Sequence, residues 1–337
     1  MGAVFGDPVE GGVGGVDEGS VGGVDGAAHG LFSPSWPQDF RAGFAAVIGR
    51  PNVGKSTLIN AMVGRKIAIT SARPETTRRV ARGIVHRPNF QLVLVDTPGI
   101  HRPRTLLGQR LNDMVEEAYA DVDVIVFCVP ADQSIGPGDR RIVEKQLLSR
   151  PRTPAIAVVT KTDAATHEQV AQQLLAVSEL YDFVEIIPVS AAAGKQVQDL
   201  VDLLGPRMPL SPPLYPADQD TDEDPEVMIA EYVREAALEI LNQELPHSLA
   251  VQVEELVPPA PNAPKGTKLK VHVNLFVERD SQKGIIIGHR GARLKQIGSA
   301  ARPQIEALLG QRIFLDLHVR LLKDWQRDPK HLGRLGF

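Results

Sequence analysis

Residues 49–56 combine two glycines, a lysine and a serine in a spacing that can hold phosphate groups. They read Gly-Arg-Pro-Asn-Val-Gly-Lys-Ser. The backbone N–H groups of such a loop, together with the N-terminus of a following helix, can surround phosphates. In this interpretation Lys55 reaches the β- and γ-phosphates and Ser56 ligates Mg²⁺. The predicted phosphate-binding residues are Gly49, Arg50, Pro51, Asn52, Val53, Gly54, Lys55, Ser56 and Thr57.

Three further segments with polar residues, at 96–99, 160–163 and 190–192, each follow an apolar run. Residues 96–99 (Asp-Thr-Pro-Gly) can place a carboxylate near the metal and a glycine N–H near the γ-phosphate. Residues 160–163 end in Asp163, whose carboxylate can accept from N1 and N2 of guanine, a donor pair that adenine lacks. Each group alone could be a turn or a cap. Their order favours a guanine-nucleotide site at the carboxyl edge of a sheet. The predicted contacts are Asp96, Thr97, Pro98, Gly99, Ile100, Thr160, Lys161, Thr162, Asp163, Ser190, Ala191 and Ala192.

Short apolar runs alternate with helical patterns over the first two thirds of the chain. This alternation predicts an α/β fold with a mostly parallel sheet flanked by helices. The predicted strands are residues 44–48, 90–95, 122–129, 155–159 and 184–189, with 78–85 as an additional edge strand. The predicted helices are residues 55–62, 106–120, 139–148, 167–180 and 196–204.

Two segments resemble the switches of the Era family, within the translation-factor class of GTPases. Residues 73–78 (Arg-Pro-Glu-Thr-Thr-Arg) resemble its first switch, and residues 96–101 (Asp-Thr-Pro-Gly-Ile-His) its second. The resemblance implies a P-loop GTPase domain that binds GTP, GDP and Mg²⁺. It implies that Thr77, or its neighbour Thr76, completes the Mg²⁺ shell; from the residues alone, both could be β-branched residues approaching a strand. The predicted first switch is Glu75, Thr76, Thr77, Arg78 and Arg79. The metal ligands are Ser56, Thr77 and, through water, Asp96, and the catalytic residues are Lys55, Thr77 and Gly99.

Three positions bear on how tightly the nucleotide is held and how fast it is hydrolysed. The family usually has asparagine where this chain has Thr160, so we expect selection of GTP over ATP through Asp163 with a looser hold on the base. Ile100 stands where some GTPases have a glutamine that orients water, which predicts slow intrinsic turnover. Asn52 stands where related potassium-stimulated GTPases ligate K⁺, so K⁺ is a candidate cofactor. Asn52 can also be a turn residue after Pro51.

Composition limits the class of protein. The 337 residues are 43% apolar and 23% charged, which is typical of a soluble chain of roughly two domains. No apolar stretch approaches the ~18 residues of a membrane helix. Cys128 is the only cysteine, which excludes a disulfide framework and favours a reducing, cytoplasmic setting. The N-terminus lacks the basic and apolar regions of a secretion signal.

Local composition predicts four segments. Residues 1–40 hold 11 glycines, six acidic residues and no Lys or Arg, which predicts a disordered tail. Residues 41–205 form the predicted GTPase domain. Residues 206–226 hold six prolines and end in an acidic run, which predicts a linker. Residues 227–337 form a second domain, and within it residues 265–337 carry 15 Lys and Arg against 6 Asp and Glu.

The second domain has the pattern of a nucleic-acid-binding module. Its predicted order is helix, strand, strand, helix, helix, strand, with residues 288–291 (Gly-His-Arg-Gly) between the paired helices. Two glycines there allow close backbone approach to phosphates. The layout fits a smaller α+β domain of the type II KH class, which clamps single-stranded RNA at this loop. A solvated basic face is the alternative interpretation. The predicted RNA contacts are Lys283, Gly288, His289, Arg290, Gly291, Arg293 and Lys295, with His289 placed to stack on a base.

The resemblance to the Era family extends over residues 43–337, including Glu-Leu-Pro at 244–246 and Lys-Asp-Trp at 323–325. It implies binding near the 3′ end of 16S rRNA and a role in maturation of the small (30S) ribosomal subunit. It also implies peripheral contact with the inner face of the cell membrane. Two alternatives stay open: an RNA-binding adaptor with structural GTP, and a membrane-associated cell-cycle GTPase with a lipid-facing basic surface. We expect a monomer.

Overall fold

The computed structural model describes residues 36–71, 77–98, 105–119, 121–241, 248–262, 264 and 266–337. Several sequence predictions lie outside these residues. They include the tail up to residue 35, the switch residues Glu75 and Thr76, residues Gly99 and Ile100, and the Glu-Leu-Pro segment.

A six-stranded sheet forms the centre of the first domain. Its strands are β1 (Arg41–Ile48), β2 (Ala81–His86), β3 (Phe90–Asp96), β4 (Val124–Pro130), β5 (Ala155–Thr160) and β6 (Glu185–Pro188), in the spatial order β2-β3-β1-β4-β5-β6. All neighbouring pairs are parallel except β2 and β3, which are antiparallel. The inner strands are buried on both faces because helices cover both sides. The prediction of a mostly parallel sheet with one additional edge strand is confirmed.

Five helices cover the two faces of this sheet. They are α1 (Lys55–Val63), α2 (Leu106–Ala118), α3 (Pro137–Ile142), which continues as a π-helical turn (Val143–Leu147), α4 (His167–Ser178) and α5 (Val197–Leu204). Apolar residues of α1 and α5 share one core with alternate strand residues such as Ala45 and Val47. Residues of α2, α3 and α4 share the other core with Ala46 and Ile48. Each core follows from the period-two alternation of the strands and the helical spacing of apolar residues.

Residues 206–224, within the predicted linker, are hydrogen-bonded to strands β1, β3 and β2 of the sheet. Ala42 donates its backbone N–H to Pro209 (3.1 Å) and Ile84 donates to Asp220 (2.8 Å). The side chain of Gln91 accepts from two backbone N–H groups of this segment. Met208 is fully buried in the core of the first domain. The segment is therefore attached to the sheet of the first domain before it reaches the second domain.

The second domain has the order predicted for a KH module. Its elements are α6 (Pro225–Ile240), β7 (Ala250–Val257), β8 (Leu269–Val277), α7 (Asp280–Ile287), α8 (Ala292–Leu309) and β9 (Ile313–Leu321), followed by a short α9 (Pro329–Leu335). The sheet order is β7-β8-β9, with β7 antiparallel and β9 parallel to β8. Helices α6 and α8 pack on one face of this sheet. The predicted α+β class is confirmed.

Pro303 lies inside α8 without ending it, since the helix continues to Leu309. Proline removes one backbone hydrogen bond. Pro303 is exposed, so the missing bond is on the solvent side. Ile297, Ala301 and Ile305 pack into the core on the opposite side and hold the helix in register. In the part of the chain that the structure describes, no helix combines the length and apolar character needed to cross a membrane.

Candidate nucleotide and RNA sites

The phosphate-loop sequence joins β1 to α1 and needs glycine at its first position. Gly49 has a φ of 152°, and a Cβ built there would lie 2.6 Å from the carbonyl oxygen of Cys128. Gly54 has a φ of 99° and precedes the first residue of α1. The N-terminus of α1 therefore points its free N–H groups toward the loop, as an anion site requires.

Lys55 is buried inside this loop. Its Nζ donates to the carbonyl oxygens of Gly49 and Arg50, both at 3.1 Å. Burial lowers the pKa of Lys55, while the nearby Asp96 carboxylate opposes the shift. An anion stabilises a buried ammonium group that contacts only two neutral carbonyls more strongly than it stabilises an exposed ammonium group. The surroundings of Lys55 therefore fit a phosphate.

Ser56, Thr77 and Asp96 meet beside the loop. Ser56 Oγ donates to Asp96 Oδ2 at 2.7 Å and lies 3.3 Å from Thr77 Oγ1. Asp96 is fully buried, and its Oδ1 has no hydrogen-bond partner among the described residues. Burial raises the pKa of Asp96, with Lys55 and the Ser56 hydroxyl lowering it. Two hydroxyls and an orphaned carboxylate oxygen are the hard ligands that Mg²⁺ takes directly or through water.

The residues predicted to read guanine come together at the ends of β5 and β6. Ser190 Oγ donates to Asp163 Oδ1 at 2.5 Å and accepts from the Ala193 N–H at 3.0 Å. These bonds fix the direction of the Asp163 carboxylate. The Thr160 hydroxyl donates to the carbonyl oxygen of Val53 at 2.5 Å. Thr160 thus joins the end of β5 to the phosphate loop.

A cavity of about 600 Å³ lies between the phosphate loop and Lys161. Its wall includes Thr70 and Gln133 of the first domain and Glu239 of α6 in the second domain. Sequence analysis assigned none of these three a role. Glu239 looks like an ordinary polar residue of an amphipathic helix, and only the packing of α6 brings it to the cavity.

Arg50 carries an ion pair that the sequence analysis also missed. Its Nε lies 2.7 Å from Oδ1 of Asp139, a fully buried carboxylate in the first turn of α3. Asp139 Oδ2 accepts from the Gly136 N–H at 2.9 Å. The pair holds the phosphate loop to the start of α3.

The segment on the N-terminal side of the predicted first switch is attached to the second domain. Glu235 of α6 is buried, and its carboxylate lies 2.5 Å from Lys66 Nζ. The same carboxylate accepts from the Thr70 N–H at 2.8 Å. Tyr232 of α6 donates its hydroxyl to the Lys66 carbonyl oxygen at 3.2 Å. The chain that enters the switch is therefore held by α6.

The C-terminal side of the switch is attached as well. Arg78 is 4% exposed, donates to the Leu249 carbonyl oxygen at 2.7 Å and lies 5.9 Å over the Trp325 ring. Arg79 donates to the Leu335 carbonyl oxygen at 2.7 Å. Both arginines directly follow Thr77, so a residue whose hydroxyl lies beside that of Ser56 is adjacent in sequence to residues bonded to the second domain.

The predicted RNA loop links α7 to α8 and is open to solvent. His289 and Arg290 are exposed, and Arg290 has a φ of 50°. A Cβ on Gly288 would lie 2.8 Å from the Cβ of Arg293, so the close turn requires glycine. Lys295 is exposed, while Lys283 and Arg293 are half-buried.

The isoleucines before the loop divide between core and surface. Ile286 is fully buried, Ile287 packs against the core and Ile285 is 43% exposed. Ile285 therefore offers an apolar surface beside the predicted RNA loop.

Comparison with known proteins finds a matching family for each of the two domains. Residues 44–161 match the family described as 50S ribosome-binding GTPase, and residues 244–326 match the KH domain. GTPase Era of Mycobacterium avium (strain 104) is 58% identical over 300 residues, covering 89% of this chain and 99% of its own. GTPase Era of Streptomyces coelicolor is 57% identical over 302 residues, covering 88% and 95%. The chain belongs to the Era family. It is a GTPase with a C-terminal KH domain.

Two solved Era structures share the fold of this Era-family chain. One is Era in complex with MgGDPNP and nucleotides 1506–1542 of 16S ribosomal RNA, and the other is an Aquifex aeolicus Era variant bound to GDP·AlF4⁻. Each is 33% identical to this chain with a TM-score of 0.83, covering 88% of this chain and 99% of the other. The agreement spans both domains.

We expect Asp163→Asn to weaken GTP binding by roughly 10–100-fold, because charge-assisted hydrogen bonds contribute about 1.5–3 kcal/mol. XTP affinity should rise, since an amide donates to the xanthine oxygen where a carboxylate repels it. Isothermal titration of GTP, ATP and XTP measures both effects. Asp182→Asn, at an exposed loop position, is the matched control. Equal wild-type affinities for GTP and ATP would overturn the role of Asp163.

Proposed function

We propose that this GTPase is a slow, nucleotide-dependent switch. In this proposal its KH domain binds the 3′ region of 16S ribosomal RNA, and the protein assists assembly of the small ribosomal subunit. The attachment of the first switch to the KH domain carries the proposal. The solved Era complex that holds MgGDPNP and a 16S rRNA fragment supports it.

At the nucleotide, each residue has one task. Lys55 binds the β- and γ-phosphate oxygens and stabilises the charge that develops on them. Ser56, Thr77 and, through water, Asp96 would hold Mg²⁺. When bound, that ion would neutralise negative charge on the phosphates. Asp163 selects guanine. The slow rate expected from Ile100, and K⁺ binding by Asn52, stay predictions of the sequence.

The switch works through the neighbours of Thr77. A threonine that contacts Mg²⁺ in the GTP state and loses that contact in the GDP state changes its position with the nucleotide. Arg78 and Arg79 are the next two residues, and both bond to backbone carbonyls of the KH domain. Movement of Thr77 therefore displaces contacts at Leu249 and Trp325. The nucleotide state and the position of the KH domain are linked by this short path.

At the RNA, the KH loop supplies phosphate contacts. His289, Arg290 and Lys295 are exposed, and the charges of Arg290 and Lys295 attract the RNA backbone without reading its sequence. Ile285 offers an apolar contact to an unstacked base. Recognition of one rRNA segment then depends on such base contacts beside the loop.

The test is binding of a short RNA from the 3′ end of 16S rRNA, with a GTP analogue, with GDP and without nucleotide. We expect tight, sequence-dependent binding with the GTP analogue, and its loss in Arg290→Glu. Arg302→Glu reverses an exposed charge on α8 of the same domain and is the matched control. Arg78→Ala should keep RNA binding but reduce its dependence on nucleotide.

Three results would contradict the proposal. Binding that ignores nucleotide in the wild type would favour an RNA-binding adaptor with structural GTP. Binding that also ignores a scrambled RNA would reduce the KH domain to general attraction of polyanions. Equal effects of Arg290→Glu and Arg302→Glu would remove the loop from recognition.

A further inference from the structure

The KH sheet has a second face that α6 and α8 do not cover. Val271 and Val273 of β8 point into the core on the helical side. Because side chains alternate along a strand, His272 and Asn274 project from the opposite face. The parallel register pairs His272 with Asp316, and Asn274 with His318, on β9. Two imidazoles and one carboxylate thus share this face.

These three side chains converge on one point. Asp316 Oδ2 lies 3.2 Å from His272 Nδ1 and 3.1 Å from His318 Nε2. The three potential ligand atoms all lie within 4.8 Å of one another. A tetrahedral ion with bonds of about 2.0–2.1 Å separates neighbouring ligand atoms by roughly 3.3 Å. The two short distances match edges of such a tetrahedron.

We propose that His272, Asp316 and His318 form a binding site for a divalent transition-metal ion, with Zn²⁺ as the preferred ion. Two imidazole nitrogens with one carboxylate suit Zn²⁺, whereas Mg²⁺ and Ca²⁺ take oxygen ligands. Three protein ligands leave one tetrahedral position for water or a ligand from a partner. The site is independent of the nucleotide pocket and of the KH loop.

Asn274 supplies a second, independent observation. Its side chain is 5% exposed, and its Oδ1 has no hydrogen-bond partner among the described residues. A buried amide oxygen left unpaired costs about 1–3 kcal/mol. Asn274 is two residues from His272 on the same face and is paired in register with His318. An amide oxygen on this face can accept a hydrogen bond from a metal-bound water.

A bound ion would join β8 to β9. These strands form the parallel pair of the KH sheet, and β9 leads directly to the segment that contains Trp325. Arg78 of the first switch lies over that ring. The ion therefore stabilises the sheet that receives the contact from the switch.

The experiment measures Zn²⁺ retained by the full chain saturated with MgGDP, so that the nucleotide pocket is filled. After equilibrium dialysis, we expect one equivalent of Zn²⁺ in the wild type and a loss of affinity of at least about 10-fold in His318→Gln and His272→Gln. His167→Gln, at an exposed position on α4, is the matched control and should retain the ion. The His318 side chain is 50% exposed, so its replacement leaves the core packing intact.

A second readout separates metal ligation from a hydrogen-bonded triad. Zn²⁺ should shift the imidazole NMR signals of His272 and His318 and leave that of His167 unchanged. A wild type that retains no Zn²⁺ would overturn the proposal, as would equal retention by all three variants. Unchanged imidazole signals at saturating Zn²⁺ would do the same and would identify the cluster as two histidines bonded to one carboxylate.

Discussion

Lys55→Ala is expected to reduce GTP hydrolysis by about 10²–10³-fold, the usual effect of removing one buried donor to a developing negative charge. Lys55 is buried within the phosphate loop, where water screens its charge less than at the surface. Release of phosphate under single-turnover conditions at saturating GTP measures the effect on the chemical step, apart from any loss of affinity.

The matched control is Lys145→Ala, which removes the same charge from an exposed position in the π-helical turn after α3. Its hydrolysis rate should equal that of the wild type. A Lys55→Ala protein that binds GTP and hydrolyses it at the wild-type rate would contradict the assigned role.

Trp325→Ala is expected to lower the stability of the KH domain by about 3–5 kcal/mol, the usual cost of deleting a large buried aromatic ring. The Trp325 ring is fully buried and stacks on Phe337, with 5.9 Å between ring centroids. Its Nε1–H donates to the backbone carbonyl oxygen of Ser248 at 3.0 Å. Hydrogen exchange of the amides in β7, β8 and β9 measures the free energy of opening of the KH domain alone. A domain-specific measurement is needed because two domains of one chain need not unfold together.

Trp36→Ala is the control, since Trp36 is 37% exposed and its replacement should change stability by no more than about 0.5 kcal/mol. Unchanged exchange in the KH sheet of Trp325→Ala would contradict the prediction. Because Arg78 lies over this ring, the same variant should also weaken the dependence of RNA binding on nucleotide. That effect distinguishes Trp325 from an ordinary core residue.

Much of the fold could be predicted because its signals are local. The apolar runs of β4 and β5 are continuous, as strands buried on both faces must be. Polar groups that end parallel strands lie at one edge of the sheet, and Asp96 and Asp163 both stand at the carboxyl ends of such strands. Residues of α8 show the helical period, and Pro303 disturbs it only on the exposed side.

The predicted ends of strands were less accurate where pairing with a distant strand decides where a strand begins. β1 begins at Arg41, three residues before the predicted apolar run, because Arg41 pairs with Phe90 of β3. The Phe44 N–H also bonds the Asp123 carboxylate at 2.7 Å. Neither contact has a sequence signature, since the partners are separated by dozens of residues.

By itself, the sequence determined the GTPase class, the two-domain order and the basic loop between α7 and α8 of this chain. These depend on residue types at short spacing and on hydrophobic period, which the backbone converts directly into loops, strands and helices. Only the tertiary structure decided that Arg78 bonds the KH domain, that Glu239 lines the nucleotide cavity and that His272 meets Asp316. The reason is physical. These contacts arise when whole faces pack or pair to bury apolar surface, and the residues they bring together are far apart along the chain.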